Sequence, residues 1–330
     1  MSKKWTRVGL TIAILGVIAS QVELAVVGRL AEQANPQWLT VAFTVLLIER
    51  LLVAWRFQVL LGVLGIYSTL LEMVRVVLMS NALGQLLPTG IGQDLIRGHE
   101  VVRSHGRAVD VSASIIQERL VGIGSMLGVT LVAGVFWLEG PLRWWIVSGV
   151  LLFSTALACS YVWARSWSQR GGTLPSRLPI PERVRSALLE VASAVSDTGR
   201  IQPVFGRVLG ISVTVQLSRC LAFWCLYDAL GSPVPLVYTL AFIPLVFLVT
   251  SIPLAVGGVG IREGVLIALV GQLGVSVEVN VAAGLLYQLL VLVVVLPGLI
   301  LYALRGTIPA ASQVPAEEAR LPAAQAPVER

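Results

Sequence analysis

Runs of apolar residues long enough to cross a bilayer dominate this chain. A spanning helix needs about 20 such residues. Val8–Val27, Trp38–Leu61, Ser112–Leu138, Trp144–Ala164, Val204–Leu230 and Val279–Leu304 each supply a run of that order. Charge is correspondingly scarce: 13% of the 330 residues are charged, 56% are hydrophobic, and the mean hydropathy is +0.84. Soluble domains carry about 25% charged residues, and half that level cannot coat a water-facing surface of this size. A soluble enzyme and a nucleic-acid-binding domain are therefore excluded, and the expected class is an all-α polytopic membrane protein. Cys159, Cys220 and Cys225 sit in apolar runs with neither a disulfide framework nor a zinc spacing.

Two further apolar stretches are interrupted. Ile66–Ile96 contains Pro88, Gly90 and Gly92; Leu236–Val270 contains Pro244, Pro253, Gly257, Gly258 and Gly260. Proline removes a helical donor and clashes with the preceding turn, so each stretch reads as two half-helices joined by irregular backbone.

Lys and Arg in short loops set the orientation. Lys3, Lys4 and Arg7, then Arg97, Arg103 and Arg107, then the arginines of 165–203, and finally Arg305 mark one side. The opposite loops carry only Arg29 and Arg143. The N-terminus, both basic loops and the C-terminus are thereby expected in the cytoplasm. Parity then requires each interrupted stretch to return to the side it entered from, and the two to enter from opposite faces. The expected architecture is about six full spans plus two re-entrant hairpins, with crossing twice as two short helices the alternative.

The interrupted stretches also resemble each other. Pro88 is followed by Gly92 and Arg97, and Pro253 by Gly257 and Arg262, at the same offsets; Gly106 and Gly274 follow downstream. With opposite orientation this reads as an inverted repeat, the layout of many secondary transporters. The domain reading is a membrane domain over 1–305 with repeat-like halves at about 38–138 and 204–304. A cytoplasmic loop over 165–203 carries an amphipathic helix at 181–200, and a disordered tail covers 306–330.

An ionisable group in hydrocarbon costs at least ~2.5–3.5 kcal/mol, so each needs a partner or a purpose. Glu23, Glu49, Arg50, Arg56, Glu72, Arg75, Asp94, Arg97, Glu118, Arg119, Arg219, Asp228, Arg262 and Glu263 are such groups. Glu72/Arg75 and Asp94/Arg97 are spaced to share a helix face. Glu118/Arg119 and Arg262/Glu263 are adjacent and point about 100° apart, so each must reach another segment. In the loop Leu87–Arg97, Asp94 is placed to cap the following helix, whose free N–H groups and dipole suit an anion beside Arg97. The plainer reading is a Gly/Pro turn with a capped helix and a snorkelling arginine. Gly257, Gly258 and Gly260 match no nucleotide motif. Gln288 and Gln117 are candidate neutral contacts, more often interhelical ties. Gly124/Gly128 and Gly206/Gly210 read as close helix-packing pairs.

The pattern N-x6-P-x-G-x-G-Q-D-x2-R at Asn81–Arg97, then Glu118–Arg119, then P-x3-G-G-x-G-x-R-E at Pro253–Glu263, resembles the lysylphosphatidylglycerol synthase transmembrane region family. Gln93 stands where that family's first motif has a second glycine. The resemblance spans about residues 5–305. It implies a flippase-like integral protein of the bacterial cytoplasmic membrane. Family members fused to an aminoacyl-transferase domain make aminoacylated phosphatidylglycerol. Only a short tail follows Leu304 in this chain, so synthase activity is not expected.

The leading expectation is a transporter of a phospholipid or lipid-linked glycan, with no cofactor, no metal and no enzymatic step. Asn81, Pro88, Gly90, Gly92, Asp94, Arg97, Glu118, Arg119, Pro253, Gly257, Gly258, Gly260, Arg262, Glu263 and Gln288 would line its headgroup path. The alternatives are a scaffold for a partner enzyme, or a lipid-linked glycosyl or acyl transferase using Asp94 or Glu118 as base. A second copy of the chain is a further expected partner class.

Overall fold

The structure is a computed structural model that describes residues 24–86, 92–169, 197–251 and 260–303. Among the described residues there are ten α-helices, two short 3-10 segments and no strand. The helices are α1 (Leu24–Gln33), α2 (Pro36–Val63), α3 (Leu70–Leu86), α4 (Gly92–His105), α5 (Ala108–Trp137), α6 (Gly140–Gln169), α7 (Phe205–Ala229), α8 (Leu236–Thr250), α9 (Ile261–Leu269) and α10 (Val277–Ala303). The expected amphipathic helix at 181–200 falls almost wholly, and the tail wholly, outside the described residues, as does most of the first apolar run.

Among the described residues, four segments are long and apolar enough to cross a membrane: Pro36–Val63, Ala108–Trp137, Ile201–Ala229 and Val277–Leu301. At 1.5 Å per residue each exceeds the roughly 30 Å hydrocarbon core. The first stretch divides between Leu86 and Gly92 and the second between Thr250 and Ile261, as the Pro88 and Pro253 motifs predict; Pro244, also expected to interrupt, instead lies buried inside α8 without ending it. The halves α3, α4, α8 and α9 have 17, 14, 15 and 9 residues, about 13–26 Å each, too short to span alone.

Local chemistry sets the helix ends. Asn35 caps α2, its side chain accepting from Gln37 N at 2.9 Å, and Pro36 takes the first position, where no donor is needed. Thr69 and Glu72 form a reciprocal capping box on α3: Thr69 N donates to Glu72 Oε2 at 2.9 Å and Glu72 N to Thr69 Oγ1 at 3.3 Å. Glu72 is thus used as a cap, not as the partner of Arg75 that its spacing suggested. Gly106 and Gly274, the matched downstream glycines, both take positive φ, +69° and +83°. These tight turns redirect the chain into α5 and α10.

The packing has an internal correspondence. The elements α2–α3–α4–α5 and α7–α8–α9–α10 follow in the same order. α2 packs on α7, while α3 packs on α10 and α8 on α5. α2 and α7 are antiparallel: Asn35 N donates to Ala229 O at 2.9 Å at one end, and Arg56 meets Ser212 nearer the other. Among the described glycines, the closest approach to another helix falls at Gly298 of α10, where a Cβ would collide with the Leu78 carbonyl of α3. Gly124, Gly128, Gly206 and Gly210 face open space instead. Their spacing predicted close helix contacts that the described helices do not make there. The close approaches occur where helices cross, and a sequence spacing does not specify the crossing.

The core is apolar and aromatic around α7, α8 and α10, with Phe223, Tyr227, Phe242, Ile243 and Leu266 fully buried. Leu285, Leu289, Leu292, Val293, Leu296 and Ile300 form an exposed stripe along α10. Such a stripe on a spanning helix belongs against acyl chains rather than water.

Candidate functional site

The charges scattered through the apolar runs converge. Arg97, in the second turn of α4, reaches Glu118 Oε2 of α5 at 2.7 Å and Asp94 Oδ1 at 2.9 Å. Glu118 Oε1 accepts from Arg56 Nη2 of α2 at 2.7 Å. Arg56 Nη1 donates onward to Ser212 Oγ of α7 at 3.0 Å. Arg119 Nε donates to Asp94 Oδ2 at 2.6 Å. Three guanidiniums therefore share two carboxylates across three helices, and Ser212 joins a fourth. Arg56, Asp94, Arg97 and Glu118 are all buried, whereas the Arg119 side chain is 39% exposed and forms the open rim. Asp94 lies within the first turn of α4 rather than before it, and binds arginines there. The adjacent pair Glu118/Arg119 does split between partners, because neighbouring helical residues diverge.

The second interrupted stretch builds a different site. Gly260 adopts φ +85°, open only to glycine, and starts α9. Its N–H donates to Glu263 Oε2 at 2.5 Å, so Glu263 caps its own helix. Arg262 Nη1 crosses to Gln288 Oε1 of α10 at 3.0 Å and also lies 3.4 Å from Gly284 O. Gly284 is required there: a Cβ would sit 2.5 Å from Glu263 Oε1.

A third cluster lies between these two. Glu49 of α2 is fully buried and takes two arginines, Arg219 of α7 at 2.9 Å and Arg50 at 2.8 Å. Each central arginine rests on a ring: Arg97 on Phe57 at 4.3 Å, Arg219 on Phe247 at 4.8 Å and Arg262 on Tyr287 at 5.1 Å. Phe247 and Tyr287 themselves meet at 5.6 Å.

Of the residues singled out by sequence, Asp94, Arg97, Glu118 and Arg119 come together, and Gly260, Arg262, Glu263 and Gln288 come together. The two groups have no direct contact among the described residues; the Glu49 cluster lies between them. Gly92 is the buried first residue of α4, and Asn81 is buried in α3 with its Nδ2 unpartnered among the described residues. Pro88, Gly90, Pro253, Gly257 and Gly258 lie outside the described residues. Sequence reasoning left Glu49, Arg50, Arg56 and Arg219 out of the site, although each was visible as a charge in an apolar run. Ser212 carried no such signal.

Spanning helices enclosing buried, cross-linked charge define a polytopic α-helical integral membrane protein. The family model described as "Lysylphosphatidylglycerol synthase TM region" matches residues 4–298, and the chain belongs to that family. Among curated proteins, none matches this chain.

Proposed function

We propose that the protein moves a phospholipid, or a lipid-linked intermediate, across the bilayer by leading its headgroup between the two interrupted stretches. The observation that carries this reading is the network at α4, where three arginines share two carboxylates and Arg119 opens to the outside. Arginine's planar fork suits phosphate.

The contact pattern supports an inverted repeat. Corresponding helices α2 and α7 run antiparallel, and the cross-contacts α3–α10 and α8–α5 exchange under the same correspondence. Gly84 of α3 lies against Gln93 of α4, a Cβ at Gly84 coming within 2.6 Å of the Gln93 backbone. That approach supports α3 and α4 as a hairpin that returns to the side it entered. No step requires covalent chemistry, and we read the protein as a non-enzymatic carrier.

The test is dithionite bleaching of NBD-labelled phosphatidylglycerol in vesicles reconstituted with wild-type protein, Arg97→Gln or Arg262→Gln. Wild type is expected to expose inner-leaflet label, and both variants to lose this while still eluting as folded protein. Wild-type rates in both variants would overturn the role assignment.

A further inference from the structure

Among the described residues, the middle cluster makes no hydrogen bond to either interrupted stretch, yet side-chain contacts link it toward both. Arg56 and Glu49 are seven residues apart on α2, and Ser212 and Arg219 are seven apart on α7. Seven residues make two turns, about 10 Å of rise on nearly the same face. The pairs Arg56–Ser212 and Glu49–Arg219 are thus successive rungs of the α2–α7 interface. From the upper rung the polar series continues through Arg97 and Asp94 to Arg119. From the lower rung, ring contacts through Phe247 and Tyr287 lead to Arg262 and Gln288.

We propose that Arg219 and Arg50, held by Glu49, form a middle binding station for the phosphate of a phospholipid headgroup in transit between the two loop sites. This rests on the transport reading above. Among the described residues, Glu49 is the one carboxylate paired with either arginine, so the cluster carries one positive charge in excess. The side chains of Arg50 and Arg219 are 11% and 17% exposed, against 0% for Glu49. The buried carboxylate thus holds two guanidiniums whose remaining donors are available to an incoming anion. Phe247 fixes the plane of Arg219 from one face and leaves its N–H edge for in-plane contact. In transit, phosphate competes with Glu49 for the arginines, so Glu49 also sets how readily the station lets go.

This predicts opposite effects from the two partners. Neutralising Glu49 (Glu49→Gln) frees both arginines. The purified protein then retains about tenfold more phosphatidylglycerol by native mass spectrometry, the scale of one charge-assisted hydrogen bond. Movement in phosphatidylcholine vesicles carrying NBD-phosphatidylglycerol slows because release slows. Arg219→Gln retains less lipid and moves it slowly.

A pair that merely ties α2 to α7 lowers phosphatidylglycerol retention in both variants, and that result overturns the station. If Arg219→Gln alone does not fold, the triple variant Glu49→Gln/Arg50→Gln/Arg219→Gln, which removes the whole cluster without stranding a charge, decides. A folded triple that moves lipid at the wild-type rate, or a triple that also fails to fold, overturns the station; a folded, inactive triple supports it. Inorganic phosphate that binds with the same variant dependence, while phosphatidylglycerol retention is unchanged, reassigns the ligand and overturns the lipid proposal. Wild-type protein idle with phosphatidylglycerol removes the transport reading and the station together. Active wild type, inactive Arg97→Gln and a fully active Arg219→Gln remove the station alone.

Discussion

Arg97 of α4 and Glu118 of α5 meet at 2.7 Å with both side chains almost fully buried. The contact joins the half-helix after the first interruption to the following span. Because Glu118 also holds Arg56, one carboxylate ties α2, α4 and α5 together. Removing one partner of such a buried pair strands the other charge, typically at about 3–5 kcal/mol.

Glu118→Gln is accordingly expected to destabilise the folded protein by about 3–5 kcal/mol. Arg119→Gln, at the 39% exposed rim, should lower stability much less, because Asp94 keeps Arg97 as a partner. Thermal unfolding of both variants in one detergent measures the order, and equal losses would contradict the burial-based ranking.

Gly298→Ala places a methyl group inside the Leu78 carbonyl, and backbone on both helices leaves no flexible atom to yield. A loss of about 1–3 kcal/mol is expected from such overpacking. Gly124→Ala, which meets nothing within 4 Å, should be neutral or slightly stabilising through helix propensity. Melting curves for the two variants check the contrast.

Gly284→Ala should displace Glu263 from the Gly260 N–H, since the new Cβ would lie 2.5 Å from Glu263 Oε1. The start of α9 then loosens, and Arg262 loses its fixed approach to Gln288. Lipid movement is expected to fall more steeply than thermal stability, and a variant with wild-type movement would sever Glu263 from the site.

Gly260→Ala forces a side chain into φ +85°, a conformation costing roughly 1–3 kcal/mol for other residues. Hydrogen exchange should rise at the α9 amides and leave α2 protected.

Cysteines introduced at Ser104, at the end of α4, and at Gln272, beyond α9, report the sidedness of the two hairpins. In a background lacking Cys159, Cys220 and Cys225, a membrane-impermeant maleimide should label the two positions from opposite faces. Labelling of both from one face would overturn the inverted arrangement.

The sequence was most informative where a single segment carries its own constraint. Apolar length marked the spans, Pro and Gly marked where two of them break, and Gly106 and Gly274 marked the turns. Asp94 and Arg97 were legible as a pair because helical spacing alone brings them together. Glu72 and Arg75 obey the same spacing, yet Thr69 claims Glu72, since a capping donor one turn upstream is closer at hand than solvent or a partner helix.

Local pattern thus determined by itself that this chain lives in a membrane, where its helices begin and break, and which charges needed an explanation. Only the tertiary structure decided which charges answer one another. Glu49 and Arg219 are 170 residues apart, and no periodicity links them; they meet because α2 and α7 pack antiparallel. In a medium with little water to solvate an isolated ion, that meeting is what lets either charge be buried.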